Sequence, residues 1–210
     1  MDPTGYILFL EKVLTPDRLT HSLGVMQVMG ELAEIYHLDR DQALTAGLLH
    51  DAGKDLPPEV QQELIREGNI QTSHECETNY VLYLHGPVGA FLVQKELGLR
   101  DELILDAIIG HTYFGDSPHF DHPLSWCLRF SDIIEPNRNW AQQKILLHCA
   151  KRLRELVYTG QMKRAAFLQT GCLIKWFEEK EAPIHPRMRE LYQSLGTELD
   201  LDHSFLGPDA

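Results

Sequence analysis

His50 and Asp51 stand side by side in Ala46-Gly-Leu-Leu-His-Asp-Ala-Gly-Lys54, an apolar turn ending in an imidazole, a carboxylate, a glycine and a lysine. Adjacent helical residues lie about 100° apart, so both side chains can reach one metal ion from a single turn. A neutral imidazole with a carboxylate suits a borderline divalent metal that keeps an open position for water. Alone, the stretch also fits an ordinary helix end, with Asp51 solvated, Gly53 as a C-cap and Lys54 near the dipole.

Other residues of the same chemistry tip the balance. His21 precedes Val25 and Val28 by four and seven positions, so it continues their apolar stripe. His85 sits on the side of Val88 and Leu92, His111 follows Ala107 and Ile108, and Asp132 extends the row Leu124, Leu128. A lone histidine on such a stripe is ordinarily a hydrogen-bonded core residue. Five helices that each turn such a group inward would be costly to bury unpaired. Convergence on a charged centre, a metal ion with its water, is the economical expectation.

The elements that must position these groups all read as helices. Residues 6–14 are a short apolar segment, and apolar spacing and stop signals predict helices over 18–36, 42–50, 58–66, 85–98, 101–111, a segment through 124–132, 141–158, 161–179 and 186–195. Residues 70–83 read as a loop with one short helical turn, and 112–123 as a surface loop carrying His119 and His122. The stripe Leu146, Leu147, Leu153, Leu156 and Val157 reads as core packing or a dimer seam. No alternating strand pattern, repeat or low-complexity tract is present, so the fold class is all-α. Residues 1–196 are expected to form one domain, with the site on 18–138, C-terminal helices over 140–196 and an acidic tail from 197 to 210.

Composition narrows the function. The chain has 210 residues, enough to bury a full core, and a net charge of −12. That charge argues against duplex nucleic acid or an anionic membrane as partner, because both need a basic face. A small phosphorylated ligand remains compatible where a metal and a few Lys or Arg residues supply local positive charge. No apolar run reaches the roughly 20 residues of a membrane span. Met1-Asp-Pro-Thr-Gly5 lacks the basic flank and apolar core of a signal peptide, so a cytoplasmic protein is expected. Cys76, Cys127, Cys149 and Cys172 are too widely spaced for a zinc knuckle and read as buried thiols.

His21, then His50-Asp51 with Gly53-Lys54, then Asp132 resembles the H…HD…D order of the HD-domain metal-dependent phosphohydrolases. His85-Gly-Pro-Val-Gly-Ala, Val93-Gln-Lys-Glu-Leu-Gly98, Asp106-Ala-Ile with His111-Thr112, Ser131-Asp-Ile-Ile-Glu-Pro-Asn-Arg138 and Ile184-His-Pro186 look like the YqeK branch, bacterial symmetrical diadenosine tetraphosphate hydrolases. The resemblance covers roughly 5–195. It implies an HD helical bundle with an iron-type metal on His21, His50, Asp51 and Asp132, and a second metal is compatible with it. It also implies nucleotide contacts from His21, Asp51, His85, His111 and the segment Asp132, Ile133, Ile134, Glu135, Pro136, Asn137, Arg138. The Thr112–His122 connection departs from the family's shorter Thr-Thr-Gly turn, so a different lid over the nucleotide is expected.

Within that frame a metal-activated water attacks an inner phosphorus of the polyphosphate bridge, giving two ADP. Asp51 is the candidate to position the water or take its proton, and His85 and His111 to stabilise oxygens or protonate the leaving diphosphate. Lys54 is a candidate point cation and Arg138 a fork for phosphate. The ligand is expected to be a dinucleoside polyphosphate or an ADP- or GDP-like nucleotide, and a homodimer is compatible. The alternatives are an HD phosphohydrolase on another nucleotide or phosphoester, a nucleotide-binding regulatory module without turnover, and HD-fold iron oxygenase chemistry.

Overall fold

The computed structural model describes residues 2–207, which hold ten α-helices and no strand. In chain order these are α1 (Thr4–Val13), α2 (Pro16–Ile35), α3 (Arg40–Leu49), α4 (Pro58–Glu67), α5 (His85–Leu97), α6 (Glu102–Gly110), α7 (Pro123–Ile134), α8 (Lys144–Tyr158), α9 (Met162–Glu179) and α10 (Pro186–Leu199). The all-α expectation is met, and each predicted helix is present.

Local chemistry sets the boundaries. Thr15 caps α2 through the Arg18 amide, with Pro16 in the first turn. Asp39 caps α3 and Asp101 caps α6, each accepting from amides two or three residues on. Two histidines do the same unexpectedly: His122 caps α7 and His185 caps α10. Gly98 closes α5 at φ +67°, the left-handed conformation that glycine adopts without penalty.

Helix α2 packs against α3 and α7, α3 and α5 against α6, and α8 and α10 against α9. The interior is apolar, with Val25, Met29, Leu32, Leu48, Leu49, Ile108, Leu128 and Phe130 among its fully buried side chains. Each such aliphatic or aromatic side chain contributes about 1.5–3 kcal/mol on burial. The α2 stripe that buries Val25, Val28 and Met29 also buries His21, so packing that face fixes where the imidazole points. Of the α8 stripe, Leu146, Leu153 and Val157 are buried in the core, while Leu147 and Leu156 are half-buried.

Three segments differ from their sequence reading. Residues 112–123 are a surface loop only in part: Asp116, Pro118 and Asp121 are exposed, but Tyr113, Phe114 and Phe120 are buried in a second core with Phe177, and the Arg129 guanidinium lies over the Tyr113 and Phe120 rings. Residues 70–83 hold a 3-10 turn (Glu75–Thr78) and begin a π-helical turn (Tyr80–Leu84), with Glu77 fully buried. Past Thr197, α10 continues to Leu199 and a 3-10 turn (His203–Leu206) docks Leu206 into the core, where His148 bonds its carbonyl at 2.7 Å. The rest of the expected acidic tail, 208–210, lies outside the described residues.

Candidate metal centre and substrate cavity

Six side chains from five helices meet in the interior. His21 comes from the α2 stripe, His50 and Asp51 from the end of α3, His85 from the start of α5, His111 from the end of α6 and Asp132 from α7. The four histidines and Asp51 are buried, and the Asp132 side chain is 26% exposed.

Backbone and carboxylate acceptors aim the rings. His50 Nδ1 lies 2.9 Å from the Gly47 carbonyl, and His111 Nδ1 lies 2.5 Å from that of Ile108. A carbonyl only accepts, so both rings carry their proton on Nδ1 and turn a bare Nε2 lone pair inward. His21 Nδ1 lies 3.1 Å from Glu135 Oε1, which turns its Nε2 to Asp132 Oδ1 at 3.0 Å and Asp51 Oδ2 at 3.8 Å. His50 Nε2 lies 3.6 Å from Asp51 Oδ2 and 3.7 Å from Asp132 Oδ1.

This arrangement fits a metal ion. The His50 Nε2 atom is fully buried with no hydrogen-bond partner, although it faces two carboxylates. Donor atoms on one ion with bonds of about 2.1 Å stand roughly 3–3.5 Å apart, close to the spacing seen here. A second trio, Asp51, His85 and His111, shares Asp51 with the first trio of His21, His50 and Asp51. Neutral imidazoles with carboxylates are the donor set of a divalent cation.

The electrostatics follow from burial and neighbours. Burial works against the Asp51 carboxylate, yet His50, Lys54, His111 and His85 hold its pKa well below the usual range. Burial likewise opposes the charge on Asp132, and Arg138 and His21 more than offset it. Burial and then Lys54 push the His85 imidazole down to about 3. For His21 the Asp132 and Glu135 carboxylates outweigh burial and raise the pKa.

Lys54 is no solvated helix-end lysine. Its ammonium lies 2.8 Å from the Val81 carbonyl and 3.1–3.2 Å from the two ring nitrogens of His85. Gly53 is not a left-handed C-cap either: a Cβ there would lie 2.5 Å from the His85 carbonyl and 2.7 Å from the Gly89 amide. The glycine lets the end of α3 touch the start of α5, which brings Asp51 and His85 together.

A cavity of about 300 Å³ opens beside the cluster, bounded there by Asp51, Lys54, His85, His111, Asp132 and Arg138. Within the segment 132–138, Asp132, Ile133 and Arg138 reach the cavity. Glu135 does not: it is buried behind His21 and also takes the Asn137 amide at 2.6 Å. Ile134 is in the core with its carbonyl on Arg154, Pro136 lines a neighbouring groove that shares Ile133, Arg138 and Trp140 with this cavity, and the Asn137 side chain turns to the Thr20 carbonyl.

The sequence reading missed Arg18, whose Nη1 donates to Asp51 Oδ2 at 3.0 Å. Its signal was the i, i+3 spacing to His21, which places both on one face of α2. His119 and His122 stay apart from the site, with His119 on Asp106 at 2.7 Å. His185 bonds Glu77 instead, at 2.9 Å.

An all-helical bundle that brings a His, a His-Asp pair and a distant Asp to one point defines an HD domain, and the HD domain family model matches residues 18–156. A Bacillus subtilis (strain 168) protein named symmetrical bis(5′-nucleosyl)-tetraphosphatase is 39% identical over 129 residues, covering 61% of this chain and 67% of that one. A Halalkalibacterium halodurans protein of the same name is 30% identical over 183 residues, covering 87% of this chain and 90% of its own. The crystal structure of a predicted HD superfamily hydrolase involved in NAD metabolism from Clostridium acetobutylicum superposes with a TM-score of 0.79 at 29% identity, over 94% of this chain and 98% of that one. The chain belongs to the HD-domain family and, within it, to the branch of the symmetrical bis(5′-nucleosyl)-tetraphosphatases.

Proposed function

We propose that this chain is a metal-dependent phosphohydrolase that cleaves diadenosine tetraphosphate symmetrically into two ADP. The observation that carries the reading is Asp51, shared between two histidine clusters at one end of a cavity edged by Lys54 and Arg138. The two relatives described above are named for this reaction.

His21 Nε2, His50 Nε2, Asp51 and Asp132 are the residues that would hold the ion, with iron the metal that the family resemblance implies. When bound, such an ion lowers the pKa of water and withdraws charge from a phosphoryl oxygen. Asp51 Oδ2 faces that cluster, while Oδ1 lies 3.3 Å from His85 Nε2 and 3.7 Å from His111 Nε2. One carboxylate therefore links the water-holding side to the two remaining imidazoles.

Lys54 Nζ stands 3.2 Å from His85 Nδ1 and 3.1 Å from its Nε2, and burial together with this cation keeps the imidazole neutral. His85 Nε2 lies 3.3 Å from Asp51 Oδ1 and 3.1 Å from the bare Nε2 of His111. Asp51, His85 and His111 thus form a contiguous path along which the proton given up by the attacking water would pass to the departing diphosphate. Arg138, on Asp132 at 2.5 Å, and Arg18, on Asp51 at 3.0 Å, stand beside the same carboxylates with guanidinium forks suited to phosphate. All of these residues come from one chain, and a nucleotide substrate fits a cytoplasmic enzyme.

The test combines metal analysis of protein purified without added metal with chromatography of products from diadenosine tetraphosphate. Bound transition metal and ADP as the sole product are expected. ATP plus AMP, or no product from metal-loaded protein, would overturn the reading.

A further inference from the structure

The chain enters α5 through a widened turn. Tyr80–Leu84 is π-helical, and the His85 amide donates five residues back, to the Tyr80 carbonyl. In an α-helix the same amide would take the Val81 carbonyl, four residues back. The wide turn leaves the Val81 carbonyl free of the ladder, and the Lys54 ammonium takes it at 2.8 Å. Pro87 favours the widening, because its ring collides with the carbonyl four residues earlier in a regular helix and it has no amide to offer. That carbonyl belongs to Tyr83, and it accepts from the Thr112 hydroxyl at 2.8 Å instead.

Both displaced carbonyls therefore go to side chains on the wall of the substrate cavity, Lys54 and Thr112. The turn itself is well anchored. The Tyr80 hydroxyl donates to the carbonyl of Gly53, next to Lys54 in the chain, and the Asn79 side chain accepts from the Leu82 amide at 3.1 Å. Tyr83 and Leu84 are buried. The Val81 side chain, in contrast, is 64% exposed, so this residue contributes chiefly its carbonyl and its length of backbone.

We propose that the π-helical turn is a positioning element for Lys54: the Val81 carbonyl holds the ammonium at the cavity edge beside His85, ready for phosphate. This rests on the reading above that phosphate binds at the Lys54 end of the cavity. An ammonium has three donors. One goes to Val81 and one to the ring of His85, at 3.1–3.2 Å, which leaves the third for the cavity. A lysine side chain is otherwise highly mobile, and a fixed acceptor removes freedom that phosphate binding would have to overcome. A regular α-turn would satisfy its own carbonyls and leave Lys54 without this acceptor. Single π-helical turns are rare and concentrate at functional sites, in keeping with such a role.

The test deletes Val81, which removes an exposed side chain and returns the turn to the α-helical repeat. In the metal-loaded full chain, calorimetric ADP affinity should fall about tenfold, the size of one charge-assisted hydrogen bond. ADP release from diadenosine tetraphosphate should fall about tenfold to a hundredfold, as a small misplacement near the chemistry does, with helical content kept by circular dichroism. Lys54→Met should weaken ADP to a similar extent, and deleting Val81 in that background should change affinity less than about twofold. A purely structural role would give equal losses in both backgrounds, and that result overturns the proposal. Undiminished ADP binding by Lys54→Met overturns it as well. Should the deletion fail to fold, Tyr80→Phe decides, since it cuts only the tie to Gly53. Weaker ADP binding that disappears in the Lys54→Met background supports the proposal, and unchanged binding overturns it. If the natural protein releases no ADP, the hydrolase reading fails while the binding cycle still judges the turn.

Discussion

Glu135 and His21 are 114 residues apart in sequence, yet Glu135 Oε1 sits 3.1 Å from His21 Nδ1 and decides which way that ring faces. The contact exists because Gly24, one turn after His21, has no side chain: a Cβ there would collide with the Glu135 carboxylate. Outer carboxylates of this kind fix the tautomer of a metal-binding imidazole and raise its basicity. Glu135→Gln is therefore expected to lower metal affinity about 10- to 100-fold with the helical content intact. Gly24→Ala, which displaces the same carboxylate, should reproduce the defect. Metal titration followed by circular dichroism checks both, and unchanged affinity in the two variants would sink the positioning role.

Gly53, in the turn after α3, packs directly on the backbone of α5, and an added methyl would meet the His85 carbonyl and the Gly89 amide. Backbone cannot rotate away as a side chain does, so Gly53→Ala must separate the two helices. A loss of about 1–3 kcal/mol in stability is expected, together with a larger loss of activity, since Asp51 and His85 ride on the separated elements. Urea unfolding and an ADP-release assay on the same preparation measure the two effects. A stable variant with full activity would show that the two helix ends tolerate the shift.

The metal cluster was largely legible because helical periodicity is directional. Where an apolar stripe ends in a histidine or aspartate, packing the stripe turns that residue inward, and this located His21, His85, His111 and Asp132. What stayed hidden depends on elements far apart in the chain. Nothing near Glu135 marks His21 as its partner, and nothing near Lys54 marks the ring of His85. Residues 112–123 misled through their glycine and prolines, since the burial of Tyr113 and Phe120 is caused by Arg129 on the next helix. The acidic composition after Thr197 concealed Leu206, whose docking depends on His148 and Arg152 of α8.

Asp51 is the residue whose change should separate structure from chemistry most cleanly. Asp51→Asn keeps the shape of the side chain but removes the charge from both histidine clusters at once. Metal content and ADP release are expected to fall together, the latter by at least about a hundredfold, as loss of an acid–base or metal-holding group does. The thermal midpoint should fall modestly with the helical content intact, because Arg18 and the neighbouring groups favour the charged carboxylate in the fold despite its burial. Full metal content with full turnover would remove Asp51 from the centre of the site.

Glu77 gives a pH dependence that is independent of the metal. Its buried carboxylate accepts from the Ser73 amide at 2.5 Å, the His74 amide at 3.1 Å, the Gly115 amide at 3.0 Å and His185 Nε2 at 2.9 Å. Burial opposes the charge, but these donors together pull the pKa from 4.5 down to about 2. A depressed carboxylate binds fewer protons folded than unfolded, so its stabilisation is complete above the unfolded value and fades as pH falls toward the folded one. Between pH 5 and pH 3 the chain should lose roughly 2 kcal/mol from this group alone. Glu77→Gln is expected to be less stable at pH 7 and to show a flatter stability profile over that interval. Urea unfolding at pH 7, 5 and 3 measures both slopes, and parallel slopes would assign the acid sensitivity to other carboxylates. The same comparison has a structural reading, because Glu77 ties the turn before α5 to Gly115 and to the start of α10. Releasing it loosens the segment that carries Tyr113 over the cavity, so nucleotide affinity should fall in Glu77→Gln even at neutral pH.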